Sequence, residues 1–119
     1  MENVALNKMV EPKEIVFYED NQGNEPFHDW LEGLRDKQTR RRIINRISRM
    51  QGGNYGDVAP VGEGVSELRL FFGAGYRVYF GEDNQHIVVI LCGGDKSTQS
   101  DDIARAKMYW KEYKSYEKI

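Results

Sequence analysis

Three groups of cations in this sequence have the type and spacing to act on an anionic ligand. Arg42, Arg46 and Arg49 recur at i, i+4 and i+7, so a helix would carry them along one side. Such a row matches phosphates along a nucleic acid backbone. It is equally the pattern of a solvated helix face, or of one that meets the acidic N-terminal segment or an acidic partner. Arg69 and Arg77 flank a glycine-rich turn on what read as consecutive strands. Alternation puts Leu68, Leu70, Val78 and Phe80 on a core face, and Glu67, Arg69, Phe71, Arg77 and Tyr79 on the outer one. Arginine on an outer sheet face is also commonplace. The third group is Gly93-Gly94-Asp95-Lys96, between an apolar strand and a helix, where backbone N–H groups favour anions. The glycine spacing of a nucleotide-binding Walker A loop is absent, and Asp95 and Lys96 can also simply pair with each other.

Other chemistries have little to work with. The single cysteine, Cys92, excludes an intramolecular disulfide and reads as a small core residue at a strand end. His28 and His86 lack the spacing of metal ligands, so no metal or other cofactor is expected. Trp30, Trp110, Phe27 and Tyr109 read as core or interface aromatics. The first dozen residues contain Glu2, Lys8 and Glu11 and no apolar run, and no stretch is long enough to span a bilayer. A cytoplasmic setting is therefore expected.

These residues must be positioned by one small domain, since 119 residues leave little room for a second core. The net charge of −2 conceals segregation. Residues 1–34 carry eight Asp/Glu against two Lys/Arg, whereas residues 35–51 carry seven Lys/Arg against one Asp. Residues 1–12 read as a loose leader and residues 13–119 as the domain. Residues 14–18 (Glu-Ile-Val-Phe-Tyr) form a β-rich run, broken by Asp20-Asn21-Gln22-Gly23-Asn24. Pro26 suits the first turn of a helix ending near Leu34, and Asp36 suits the N-cap of a second through Gln51, with Ile43, Ile44, Ile47 and Met50 as its apolar stripe. Residues 52–64 read as a loop. Residues 65–72, 76–81 and 86–92 follow as a three-stranded antiparallel meander, then a helix capped by Thr98 or Ser100 and running to about Lys114. The predicted class is α+β, in the order β-α-α-β-β-β-α.

Three stretches carry a resemblance: Val61-Gly62-Glu63-Gly64-Val65-Ser66-Glu67-Leu68-Arg69, Gly75-Tyr76-Arg77-Val78-Tyr79-Phe80 and Leu91-Cys92-Gly93-Gly94-Asp95-Lys96-Ser97. Together they resemble the small toxins of the RelE/ParE superfamily, nearest the HigB-like branch known as addiction-module killer proteins, over residues 14–114. The resemblance implies a microbial-RNase-like fold, an antiparallel sheet with a helical hairpin against it. It also implies a type II toxin–antitoxin system, with a helix-turn-helix antitoxin as partner and operator DNA reached only through it. RelE- and HigB-type members are mRNA interferases, endoribonucleases that cut mRNA on the ribosome without a metal, whereas ParE-type members poison DNA gyrase. By position, Arg77 would contact phosphate and transition state, Arg69 would neutralise phosphate, Lys96 would fall among the catalytic loop groups, and Asp95 would act as a base or orient Lys96. Glu67 stands where RelE has a lysine. The family's C-terminal tyrosine has no clear counterpart, unless Tyr79 faces the same side.

Overall fold

The computed structural model describes residues 12–117; apart from Pro12, the expected leader lies outside the described residues. The chain runs β1 (Glu14–Phe17), α1 (Pro26–Glu32), α2 (Lys37–Ser48), a 3-10 turn (Arg49–Gly52), β2 (Val58–Gly62), β3 (Val65–Arg69), β4 (Arg77–Asp83), β5 (Ile87–Gly94), a second 3-10 turn (Lys96–Thr98) and α3 (Gln99–Glu117). The α+β class holds, with one strand more than the sequence reading gave. Val58-Ala59-Pro60-Val61-Gly62 is an edge strand and not part of a loop. Its proline and the irregular register between Pro60 and Gly62 are tolerated there because an edge strand leaves one row of backbone groups unpaired.

The sheet order is β1-β5-β4-β3-β2. Strands β2 to β5 are antiparallel, but β1 pairs in parallel with β5, matching Glu14 to Ile87 through Phe17 to Ile90. The sheet is therefore mixed. Two helices start on recognisable signals. Pro26 occupies the first turn of α1, and the Asp36 carboxylate accepts the Gln38 N–H and the Thr39 hydroxyl at the start of α2. Gly53, in the left-handed region at φ 83°, closes the 3-10 extension of α2.

Both faces of the sheet are covered, which the sequence reading did not anticipate. On one face Phe27, Leu31, Ile43, Ile47 and Met50 pack against Leu68, Leu70, Val78, Phe80, Val88 and Ile90. On the other, Ala106 and Trp110 of α3 pack against Val65, Tyr79, Val89, Leu91 and Cys92. Ile44, assigned to the apolar stripe, is exposed. The side expected to be outer is thus a second core, and it encloses Glu67, Arg77 and Tyr79. Gly81 and Gly94 let this layer close up, and Gly93 lets α1 approach the opposite face. A Cβ on Gly81 would lie 2.6 Å from the Trp110 ring, one on Gly93 2.3 Å from Trp30, and one on Gly94 1.8 Å from Asp102 Oδ2. Gly93 and Gly94 belong to β5 itself, so the strand continues two residues past its expected end.

Candidate functional site

Strand register brings two of the sequence-predicted cations side by side. Arg69 on β3 is the cross-strand partner of Arg77 on β4, and Glu67 is the partner of Tyr79. Directly opposed residues share a face, so Arg69, Arg77 and Tyr79 lie on one side of the sheet, as the alternation requires. Arg77 in turn pairs with Gly94 on β5, two residues before Lys96. The glycine turn joins the third cation to the second. Arg77 Nη1 lies 3.4 Å from the Gly75 carbonyl, and a Cβ on Gly75 would sit 3.3 Å from Lys96 Cδ. The Lys96 methylenes thus run over Gly75, whose φ of +75° favours a residue without a side chain.

The three cations differ in their surroundings. Arg69 is half-exposed, with Nη2 2.9 Å from Asp57 Oδ1, and this contact raises its pKa. Lys96 is exposed and has no carboxylate partner among the described residues. Arg77 is buried, with Nε 3.7 Å from Glu67 Oε2, too long for a hydrogen bond. That carboxylate accepts the Tyr79 hydroxyl at 3.0 Å and the Gln99 side-chain amide at 2.7 Å. Burial, followed by the Glu67 charge, drives the Tyr79 pKa upward and keeps the phenol protonated. Tyr79 is accordingly a donor inside the sheet–α3 layer, and Glu67 is the anionic centre of a Tyr79–Gln99–Arg77 cluster that charge patterning alone did not reveal.

Asp95 does not pair with Lys96. Its carboxylate accepts the Ser97 N–H at 2.8 Å and the Ser97 hydroxyl at 2.6 Å, capping the turn that leads into α3. The adjoining Asp102 is buried, takes the Thr98 hydroxyl at 2.5 Å and pairs with Arg105 at 3.1 Å. Burial pushes the Cys92 thiol up to about 12, consistent with a core residue.

The arginine row divides. Arg46 is half-buried, and its guanidinium donates to the carbonyls of Tyr55, Asp57 and Arg69 at 2.9, 3.2 and 2.8 Å. It therefore ties α2 to the start of β2 and the end of β3, and is not on a solvated face. Burial, the main effect, and the nearby Arg49 lower its pKa, against the opposing pull of Asp57. Arg42 and Arg49 are exposed and have no ion pair among the described residues. With Asn45 they border a groove of about 280 Å³ whose other wall is Leu70, Phe71 and Phe72. That groove adjoins Arg69 through the Arg46–Arg69 hydrogen bond.

In sequence, the chain is 46% identical over 86 residues to a Haemophilus influenzae protein whose name is "Uncharacterized protein". The match covers 72% of this chain and 87% of the relative. The chain belongs to that protein's family. No protein-family model matches it. No helix among the described residues is long and apolar enough to cross a membrane.

Proposed function

We propose that the protein is the toxin of a type II toxin–antitoxin system, of the RelE/ParE superfamily and its HigB-like branch, acting as a ribosome-dependent mRNA interferase and neutralised by a helix-turn-helix antitoxin. The observation that carries this reading is the convergence of Arg69, Arg77 and Lys96 at one end of the sheet, through the β3–β4–β5 register and the Gly75 turn. The reaction would be attack of a ribose 2′-oxygen on the adjacent phosphorus. The P–O5′ bond breaks, leaving a 2′,3′-cyclic phosphate and a 5′-hydroxyl. Arg69 and Lys96 are the accessible cations for the charge on the phosphorane, and Arg77 adds a fixed positive charge behind them. Arginine keeps its proton at neutral pH and is unsuited to take one from the 2′-hydroxyl.

Among the described residues, the carboxylates near these cations are already engaged. Asp57 pairs with Arg69 at 2.9 Å, Asp95 caps a turn, and Glu67 is enclosed with Tyr79 and Gln99. The proton transfers would then fall to groups supplied by the ribosome, which supports the ribosome-dependent form of the reading. The same engagement supports a second reading, a ParE-type gyrase poison that binds without cutting RNA.

Inducing the chain alone and mapping cellular mRNA 5′ ends separates the two. The interferase reading expects growth arrest with new ends inside translated codons, abolished by Lys96→Ala and Arg69→Gln, both on accessible side chains. Intact mRNA together with gyrase–DNA cleavage complexes would replace it with the gyrase reading. Arg77→Ala is a poor probe, because it strands buried Glu67 without its counter-charge.

A further inference from the structure

The groove between α2 and the β3–β4 connection combines charge with an uncovered aromatic ring. Leu70 is buried, and Phe72 packs on Tyr76 with ring centroids 5.4 Å apart. Phe71, between them, is 76% exposed. The Arg42 guanidinium lies 3.8 Å from the Phe72 ring centroid, a contact that fixes its position and leaves its charge in place. Arg49 and Arg46 add two further positive charges, and Arg46 is already bound to backbone carbonyls. We propose that this groove binds a single-stranded nucleic acid segment, with one base stacked on Phe71 and the adjoining phosphates held by Arg42 and Arg49.

The physical case rests on the composition of the groove. A phenyl ring open to solvent beside arginines that have no ion pair among the described residues supplies the two elements of sequence-tolerant single-strand binding, a stacking surface and a cationic track. A duplex presents its phosphates but keeps its base faces stacked, so it would use the arginines and leave Phe71 bare. A protein partner would need apolar ground around the ring, because anchor residues bind in desolvated, well-packed patches. Here the neighbours are Arg42, Asn45 and Arg49, and the adjacent apolar side chains are buried or covered. The inner wall of the groove reaches the Arg69 backbone, whose carbonyl accepts from Arg46, while the Arg69 side chain lies on the opposite face of the sheet. Naming the bound segment as mRNA rests on the function proposed above; the single-strand groove itself does not.

The test is fluorescence anisotropy on the full chain with a labelled single-stranded RNA, a single-stranded DNA of the same sequence, a hairpin duplex and an Asp/Glu-rich peptide, across a salt series. Both single strands should bind more tightly than the duplex. Phe71→Ala should weaken single-strand binding roughly 5- to 100-fold. Phe71→Trp should restore it, with indole emission that quenches on binding. Arg42→Ala and Arg49→Ala should each flatten the slope of log affinity against log salt by about 0.7. Circular dichroism of each variant should match the parent, since all three side chains are exposed. The proposal is overturned if Phe71→Ala binds single strands like the parent, if the duplex binds as well as they do, or if only peptide binding responds to Phe71. Mapping mRNA ends in cells reports separately. Binding through Phe71 without cleavage would leave the groove standing and remove the interferase, and cleavage by a chain whose single-strand binding does not depend on Phe71 would do the reverse.

Discussion

Arg69 and Arg77 stand directly opposite one another on β3 and β4, two guanidinium side chains on the same face of the sheet. Like charges so placed repel, and each is offset by a different carboxylate: Asp57 for Arg69 at the edge, Glu67 for Arg77 in the interior. The two offsets differ in weight. Glu67→Ala removes the counter-charge of a buried arginine and should destabilise the fold by about 3–5 kcal/mol in urea unfolding. Asp57→Ala touches a half-exposed pair and should have a much smaller effect, which added salt should diminish further.

The glycines of β5 make a sharper structural prediction. Gly94→Ala puts a methyl group where Asp102 lies, and Gly93→Ala puts one into Trp30. Each should lower stability by about 1–3 kcal/mol or more through forced displacement of packed groups. Gly52→Ala meets nothing within 4 Å and has ordinary φ, so it should be neutral or stabilising by up to about 1 kcal/mol. Thermal melts of the three variants side by side would check the contrast.

Arg46 and its neighbours on α2 should part company when mutated. Arg46→Ala leaves three carbonyls without their shared donor and should destabilise by about 1–3 kcal/mol. Arg46→Lys should recover only part of this, because an ammonium cannot reproduce the planar fork. Arg42→Ala and Arg49→Ala should leave the unfolding midpoint nearly unchanged.

Alkaline pH should weaken the fold in a defined window. Burial raises the pKa of Cys92 from its ordinary 9.0 to about 12, and burial also raises those of Tyr18 and Tyr79. All three groups are neutral when protonated, and the folded state keeps the proton longer than the unfolded chain does. Stability is therefore intact below about pH 9 and declines as pH rises from there towards 12. Denaturant titrations from pH 8 upward should show the decline, with a smaller slope at its start in Cys92→Ala. Native Cys92 should resist iodoacetamide at pH 8 and react once urea unfolds the chain.

Much of this architecture was legible in local pattern, and the exceptions have physical causes. Alternation in Leu68-Arg69-Leu70 and Val78-Tyr79-Phe80 identifies the α1–α2 core face, and Asp36 marks the start of α2 because its side chain caps locally. β2 escaped because Pro60 and Gly62 are turn residues wherever the pairing partner is unknown; Val58 is a strand residue only by virtue of Leu68 opposite. The second core was hidden by Glu67, Arg77 and Tyr79, whose polar ends argue for solvent until Gln99 and α3 supply partners. One signal for it was available. Residues 87–92 are apolar without alternation, the mark of a strand covered on both faces. At the site, the convergence of Arg69 and Arg77 followed from parity, whereas the capping role of Asp95 and the tie made by Arg46 depend on loop paths that no spacing rule fixes.

The parallel pairing of β1 with β5 also bears on when this protein can become itself during synthesis. Ile15 and Val16 find their ladder only when Val88 and Val89, far along the sequence from them, have been made. Contacts so distant in sequence form slowly, because a long loop must close before any of them is rewarded. A nascent chain can form α1 and α2 early, yet β5, which joins β1 to the rest of the sheet, is made only after β2, β3 and β4. Truncation before Ile87 would remove both β5 and the Lys96 segment, so an incompletely translated chain should lack both the complete sheet and the Arg69–Arg77–Lys96 grouping.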